Sequence, residues 1–135
     1  MVTAKDVQGV MAMMPAFSTK DAGDLNAKNT IEVDNLKAGV ERMINDGIDV
    51  ITVSGSFGEC YNLDWDEYKT LAAASVDAVK KRVPLFIGAT SPNAREVVER
   101  LVPQEQYSEF ARPRIVGTVT DAASDRFVRE ILQSS

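Results

Sequence analysis

The sequence predicts an α/β fold in which helices cover a parallel sheet. Strand-like and helix-like segments alternate along the chain, and the predicted strands begin roughly 30 to 40 residues apart, as in βαβ units. The chain has 135 residues, of which 44% are hydrophobic and 26% are charged, a composition typical of globular proteins. We therefore expect residues 1–135 to form a single domain.

The first strand, the first helix and the second strand are predicted in the first half of the chain. Residues 10–14 form an apolar run that Pro15 closes, which predicts a strand. Residues 31–45 place apolar side chains at helical spacing, and Gly47 follows where a helix C-terminus favours glycine. Residues 49–53 are rich in β-branched side chains, which indicates a buried strand.

A second helix is predicted to begin at Asp64. Asp64 and Glu67 have the spacing of a capping box, in which each side chain accepts a hydrogen bond from the other residue's backbone N–H. The helical pattern is closed by basic residues 80–82, whose charge the helix dipole favours at a C-terminus. Residues 83–87, followed by Gly88, predict a third strand.

The last third of the chain predicts a third helix and one further strand–helix unit. Ser91 is a candidate N-cap for the third helix, which should end before a polar loop at residues 103–113. Residues 115–119 predict a fourth strand, and Thr120 or Asp121 could cap a last helix.

Composition excludes several classes of function. The chain has no histidine, so it can hold neither a Ser-His-Asp triad nor a histidine-bound metal, and we expect no metal and no cofactor. Its net charge of −5 disfavours binding to nucleic acid. No apolar run approaches the roughly 20 residues that span a bilayer, so we expect no membrane association.

The sulfur-containing residues indicate a reducing compartment and an apolar core. Cys60 is the only cysteine, so no internal disulfide can form, which favours a cytoplasmic location. We expect Cys60 to be a small buried hydrophobe, and Met11, Met13 and Met14 to fill the core.

The segment with the strongest indication of function follows the second predicted strand. It reads Ser-Gly-Ser-Phe-Gly-Glu-Cys over residues 54–60. Gly55 and Gly58 allow a sharp turn and a close approach of the backbone to a ligand, and Ser56 offers a hydroxyl. Exposed N–H groups in such a turn can hold a carboxylate. Spacing alone fits two interpretations, and a purely structural turn is the commoner one.

These residues resemble a known family. Gly55 to Glu59 are similar to the Gly-x-x-Gly-Glu signature of the dihydrodipicolinate synthase and N-acetylneuraminate lyase superfamily. Two flanking segments resemble the same family, namely Met14-Pro15-Ala16-Phe17 and Gly88-Ala89-Thr90 with Asn93 and Glu96. The resemblance covers about residues 9–101. It implies that the chain is a partial (β/α)8 barrel of about four strand–helix units.

The subgroup that the sequence most resembles is the hydratase-aldolases of aromatic-hydrocarbon breakdown, which release pyruvate and an aromatic aldehyde. The resemblance rests on Phe57 within Ser-Phe-Gly-Glu-Cys and on Leu-Asp-Trp-Asp-Glu at residues 63–67. It implies a pyruvate-like 2-keto acid as the small-molecule partner.

The resemblance also implies a role for each residue of the turn. Ser56 would be the catalytic hydroxyl, which relays protons and contacts the bound keto acid. The Phe57 backbone N–H would help to hold the carboxylate, while its ring faces the aromatic end of the substrate. Gly55 and Gly58 would keep the turn open, and Glu59 would organise the turn rather than act as an acid.

The sequence departs from the family in its last third. The family's chemistry uses a Schiff-base lysine on the sixth strand and a tyrosine after the fifth, yet residues 102–135 contain no lysine and resemble nothing in the family. Lys20 and Lys28, in the loop after the first strand, are the lysines that would lie on the catalytic rim. We expect them to be solvated loop charges rather than nucleophiles.

Two alternatives follow from this departure. The chain could be an inactive relative of the aldolases, or a truncated or engineered non-catalytic fragment that is structural or weakly binds a 2-keto acid. The alternative fold is an open, doubly wound four-stranded sheet with helices on both faces. A half-barrel would expose its inner wall, so we expect homo-oligomers.

Overall fold

The structure is a computed structural model that describes residues 5–91, 95–97 and 114–116. Along this part of the chain the elements are β1 (Met11–Met13), α1 (Val33–Asn45), β2 (Val50–Val53), α2 (Trp65–Val79), β3 (Leu85–Gly88) and β4 (Arg114–Val116). The strands and helices predicted up to residue 88 are therefore found, with bounds shifted by no more than about two residues.

The other predictions fall largely outside the described residues. Of the third predicted helix, residues 95–97 are helical. Of the fourth predicted strand, residues 115 and 116 lie in β4. The predicted loop at residues 103–113 and the last predicted helix lie outside the described residues.

The four strands form one parallel sheet in the order β1-β2-β3-β4. Each connection therefore moves to the next strand in the same direction, and right-handed crossovers then place the helices on one face. In agreement with this, α1 packs against α2, and α2 contacts both β2 and β3. This is the winding of a (β/α)8 barrel, so the predicted partial barrel is confirmed. The doubly wound alternative is wrong, because that fold reverses its strand order and covers both faces.

The core lies between the sheet and the two helices. Alternate residues of β2 and β3 point toward the helices, where all four are buried: Ile51, Val53, Leu85 and Ile87. They meet Leu36 of α1 and Leu71 of α2, which are fully buried. Burying one such side chain contributes about 1.5–3 kcal/mol, so this layer holds the helices against the sheet.

The opposite face of the sheet shows that one prediction about the core was wrong. Met14 is fully buried, but Met11 is 53% exposed and Met13 is 40% exposed. The register pairs Met13 with Thr52 and Thr52 with Phe86, so these residues share the face that the helices do not cover. Adjacent residues of a strand point to opposite faces, which is why neighbouring methionines differ in burial.

The ends of the two helices lie close to the predicted positions, but the last turn of α2 contains none of the basic residues that were expected to close it. The Asp64 side chain accepts a hydrogen bond from the Glu67 N–H, and the Glu67 side chain accepts one from the Asp64 N–H, so the capping box is present. Helix α2 ends before the basic residues, because Lys80 is its C-cap and adopts a left-handed conformation with φ 49°. Helix α1 ends before Gly47, whose φ is 86°.

Candidate functional site

The predicted ligand-binding turn lies at the carboxyl end of β2, the end of parallel strands where ligands bind in α/β folds. The Gly55 carbonyl accepts hydrogen bonds from the N–H groups of Gly58 (2.9 Å) and Cys60 (3.3 Å). Within the described part of the chain, the N–H groups of Ser56 and Phe57 donate no hydrogen bond. The tip of the turn therefore offers two unused backbone donors.

Exposure separates the tip of the turn from its base. Ser56 is exposed, and Phe57 is 85% exposed. Ser54 and Cys60, at the two ends of the turn, are 0% and 1% exposed, so the expected burial of Cys60 is confirmed. The buried ends fix the turn to the core and leave the Ser56 hydroxyl and the Phe57 ring accessible to a ligand.

Gly58 is required by close packing inside the turn. A Cβ atom at this position would lie 2.9 Å from the Ser54 nitrogen and 3.0 Å from the Met14 carbonyl oxygen. Both are backbone atoms, which cannot move aside as the end of a side chain can. The packing at Gly55 is less restrictive, because a Cβ there would meet the Met13 sulfur at 3.0 Å, and the flexible Met13 side chain can move aside.

Glu59 connects the turn to the end of β1. It is exposed and has a left-handed backbone with φ 60°. Its Oε2 accepts a long hydrogen bond of 3.4 Å from the Ala16 N–H. The carboxylate thus spans the two strand ends that flank the site, which is the geometry of a residue that orients a loop.

A second carboxylate, Glu67, also borders this rim, and the sequence identified it only as part of a helix cap. Glu67 is 6% exposed, and its Oε1 accepts hydrogen bonds from the N–H (3.0 Å) and the hydroxyl of Thr30. Burial raises the pKa of Glu67, but the hydrogen bonds from Thr30 and from the Asp64 N–H outweigh it and hold that pKa below its usual value. The capping-box spacing identified Glu67, but no local signal pointed to Thr30.

The lysines lie away from the sheet. None of the four described strands contains a lysine. Lys20 and Lys28 are exposed in the loop after β1. Lys37 and Lys69 lie on the helices and form ion pairs with Asp77 (2.9 Å) and Asp66 (2.6 Å).

The described residues contain neither a cluster suited to a metal ion nor a helix suited to span a membrane. No group of three or more His, Cys, Asp or Glu side chains is arranged to hold a metal ion there. No helix in the same residues is both long and apolar enough to cross a membrane.

A parallel sheet wound in one direction, with a glycine-rich turn after its second strand, defines a barrel-type α/β protein, a class in which ligands bind at the carboxyl ends of the strands. Within that class, the chain belongs to the dihydrodipicolinate synthetase family, whose sequence model matches residues 11–106. The resemblance seen at Gly55 to Glu59 is thereby confirmed.

A curated relative agrees with the predicted subgroup. The chain is 38% identical over 99 residues to a trans-O-hydroxybenzylidenepyruvate hydratase-aldolase from Pseudomonas putida. The aligned segment is 73% of this chain but 30% of that enzyme, so the chain spans about a third of the length of the relatives it matches.

Solved structures agree with the fold. The chain superposes on the structure titled "PhdJ bound to substrate intermediate" with a TM-score of 0.83 and 29% identity, covering 98% of this chain and 42% of that one. An N-acetylneuraminate lyase from Mycoplasma synoviae gives a TM-score of 0.76 at 21% identity, covering 98% of this chain and 44% of that one. The second match shows the shared fold alone.

Proposed function

We propose that this chain forms the keto-acid-binding wall of a pyruvate-dependent hydratase-aldolase, a lyase of the Schiff-base type. The main observation is the turn after β2, where unused N–H groups of Ser56 and Phe57 lie beside an exposed hydroxyl. The relatives support this assignment, since the Pseudomonas putida protein is named for benzylidenepyruvate hydratase-aldolase activity.

The turn suits the carboxylate of a 2-keto acid. The Phe57 N–H and the Ser56 hydroxyl donate to the carboxylate oxygens, and hydrogen bonds to a charged acceptor are stronger than neutral ones. Gly55 and Gly58 allow the ligand to approach the backbone, and Glu59 orients the turn through Ala16. The Phe57 ring is 85% exposed and is free to contact the aryl group of a substrate.

The covalent step needs a group that the described strands lack. An amine attacks a carbonyl only when it is neutral, which requires a desolvated lysine. Lys69 is half-buried in an ion pair with Asp66, while the other lysines of the chain are exposed. These 135 residues therefore bind pyruvate without forming an imine, and Ser56 relays protons only where a Schiff-base lysine is supplied.

The experiment combines a pyruvate titration with chemical trapping. Sodium pyruvate should shift the backbone amide resonances of residues 55–58, and borohydride reduction followed by intact mass measurement should show no adduct. Ser56→Ala removes one hydrogen bond worth about 0.5–1.5 kcal/mol and should weaken binding by about two- to tenfold. Thr70→Ala, which removes an exposed hydroxyl on α2, is the matched control and should bind as the wild type does.

Two outcomes would contradict this proposal. A stoichiometric adduct on Lys20 or Lys28 would show that the chain has its own nucleophile. The absence of any response to pyruvate would favour the second candidate, a non-catalytic structural role, which the lack of a lysine in the four described strands supports.

The proposal also includes the cellular location of the chain and its self-association. A cytoplasmic location is favoured by the single cysteine, Cys60, and self-association is favoured by the exposed apolar side chains of Met11 and Met13. Sedimentation of the chain as a compact, well-behaved monomer would contradict the proposed self-association.

A further inference from the structure

Ser54 joins β2 to the ligand-binding turn and adopts an unusual conformation. Its φ is 55°, in the left-handed region that serine rarely adopts. Its side chain is fully buried, and its hydroxyl has no hydrogen-bond partner among the described residues. A residue in such a conformation persists only where the surrounding structure holds it in place.

The Ser54 backbone packs closely against two glycines. A Cβ atom at Gly58 would lie 2.9 Å from the Ser54 nitrogen. A Cβ atom at Gly88, at the end of β3, would lie 2.2 Å from the Ser54 carbonyl oxygen and 3.2 Å from the Gly55 nitrogen. The turn thus rests directly on the end of the neighbouring strand, in the space that a side chain at Gly88 would occupy.

We propose that Gly88 is a positioning residue for the ligand-binding turn. It contacts no ligand itself, but its missing side chain fixes where the Gly55, Ser56 and Phe57 backbone lies relative to β3. This inference rests on the proposed binding of a 2-keto acid at that turn. Any side chain at Gly88 would push the Ser54 carbonyl away by about 1 Å, and a displacement of that size is enough to weaken a site strongly.

The strand itself can accept a substitution at this position. Gly88 does not have the positive φ that would exclude an L-residue, so alanine conflicts with the turn and not with the backbone conformation of β3. Because Ser54 is buried and its backbone atoms cannot rotate away, relief of the conflict costs stability and also displaces the exposed tip of the turn that follows. The effect of the substitution is therefore expected at the site as well as on the stability of the fold.

The test compares Gly88→Ala with Gly23→Ala by pyruvate titration followed through assigned backbone amides. Gly23 has nothing within 4 Å of its Cβ position and no positive φ, so its substitution should leave binding unchanged. Gly88→Ala should shift the amide resonances of residues 54–57 in the ligand-free protein and raise the dissociation constant for pyruvate at least tenfold. Wild-type affinity in Gly88→Ala would overturn the inference and leave the proposed function standing.

A second variant separates positioning from stability. Ser54→Gly removes the left-handed strain and the unpartnered hydroxyl, so it should restore folding to a Gly88→Ala protein that is poorly stable. The methyl group at residue 88 still displaces the turn, so the double variant should fold and still bind pyruvate at least tenfold more weakly. Recovery of wild-type affinity in the folded double variant would assign Gly88 to stability alone.

The failure of the proposed function is distinguishable from the failure of this inference. If wild-type protein shows no response to pyruvate, the proposed function is overturned, together with the claim that Gly88 positions a binding site. If wild type responds and Gly88→Ala responds equally, only the role of Gly88 is overturned.

Discussion

The carboxylate of Glu67 accepts hydrogen bonds from both the backbone N–H and the hydroxyl of Thr30, a residue 37 positions earlier in the chain. Its other oxygen accepts from the Asp64 N–H at 3.1 Å. One buried side chain therefore caps α2 and fixes the end of the loop that follows β1. Because α2 begins a few residues after the turn proposed to bind the keto acid, this contact joins the two loops that border the proposed site.

Replacing Glu67 should destabilise the fold substantially. Glu67→Gln removes the charge and leaves one of three donors facing an amide NH2 group, which should lower the free energy of unfolding by about 1–3 kcal/mol. Urea unfolding followed by the fluorescence of Trp65, the only tryptophan, measures the change. Glu41→Gln on α1 is the matched control, because Glu41 pairs with Arg82 at the surface and should matter less. Equal effects of the two substitutions would contradict the structural role given to Glu67.

The same carboxylate should make the stability depend on pH. Since hydrogen bonds to the ionised form hold the pKa of Glu67 below its usual value, its contribution is complete above the unfolded-state pKa and is lost as the pH falls through the folded-state pKa. The difference in unfolding free energy between wild type and Glu67→Gln should therefore shrink as the pH is lowered from 7 to about 3. A difference that stays constant over this pH range would show that the protonated Glu67 side chain stabilises the fold as well as the ionised one does.

The contact between Glu67 and Thr30 also shows where prediction from the sequence stops. The capping box could be predicted because its members are three residues apart and their chemistry is local. The hydrogen bonds to Thr30 could not, because they depend on how the loop after β1 folds against α2. In the same way the sequence located the turn around Ser56, but not the contact between Ser54 and Gly88, which exists only once β2 and β3 are paired.

Truncation of two neighbouring methionines, Met13 and Met14, should lower the stability by different amounts. Met14 is fully buried between sheet and helices, so Met14→Ala should cost about 2–5 kcal/mol of stability. Met13 is 40% exposed on the uncovered face, and in dilute protein that has not self-associated Met13→Ala should cost less than about 1 kcal/mol. Urea unfolding of the two variants side by side checks the direction in which each residue points. A larger loss for Met13→Ala would show that the uncovered face is packed in solution.

Gly58 should tolerate no side chain. Alanine there would place a methyl group within 3.0 Å of three backbone atoms, the nitrogens of Ser54 and Gly55 and the carbonyl oxygen of Met14. Because none of these can rotate away, we expect Gly58→Ala to lower the unfolding free energy by about 1–3 kcal/mol through overpacking. Gly23→Ala, whose methyl group enters open space, should be neutral or slightly stabilising, since it restricts the unfolded chain. Thermal unfolding of both variants measures the difference. A Gly58→Ala protein as stable as Gly23→Ala would mean that the turn is loosely packed. A loosely packed turn could not present its N–H groups to a carboxylate in a fixed geometry.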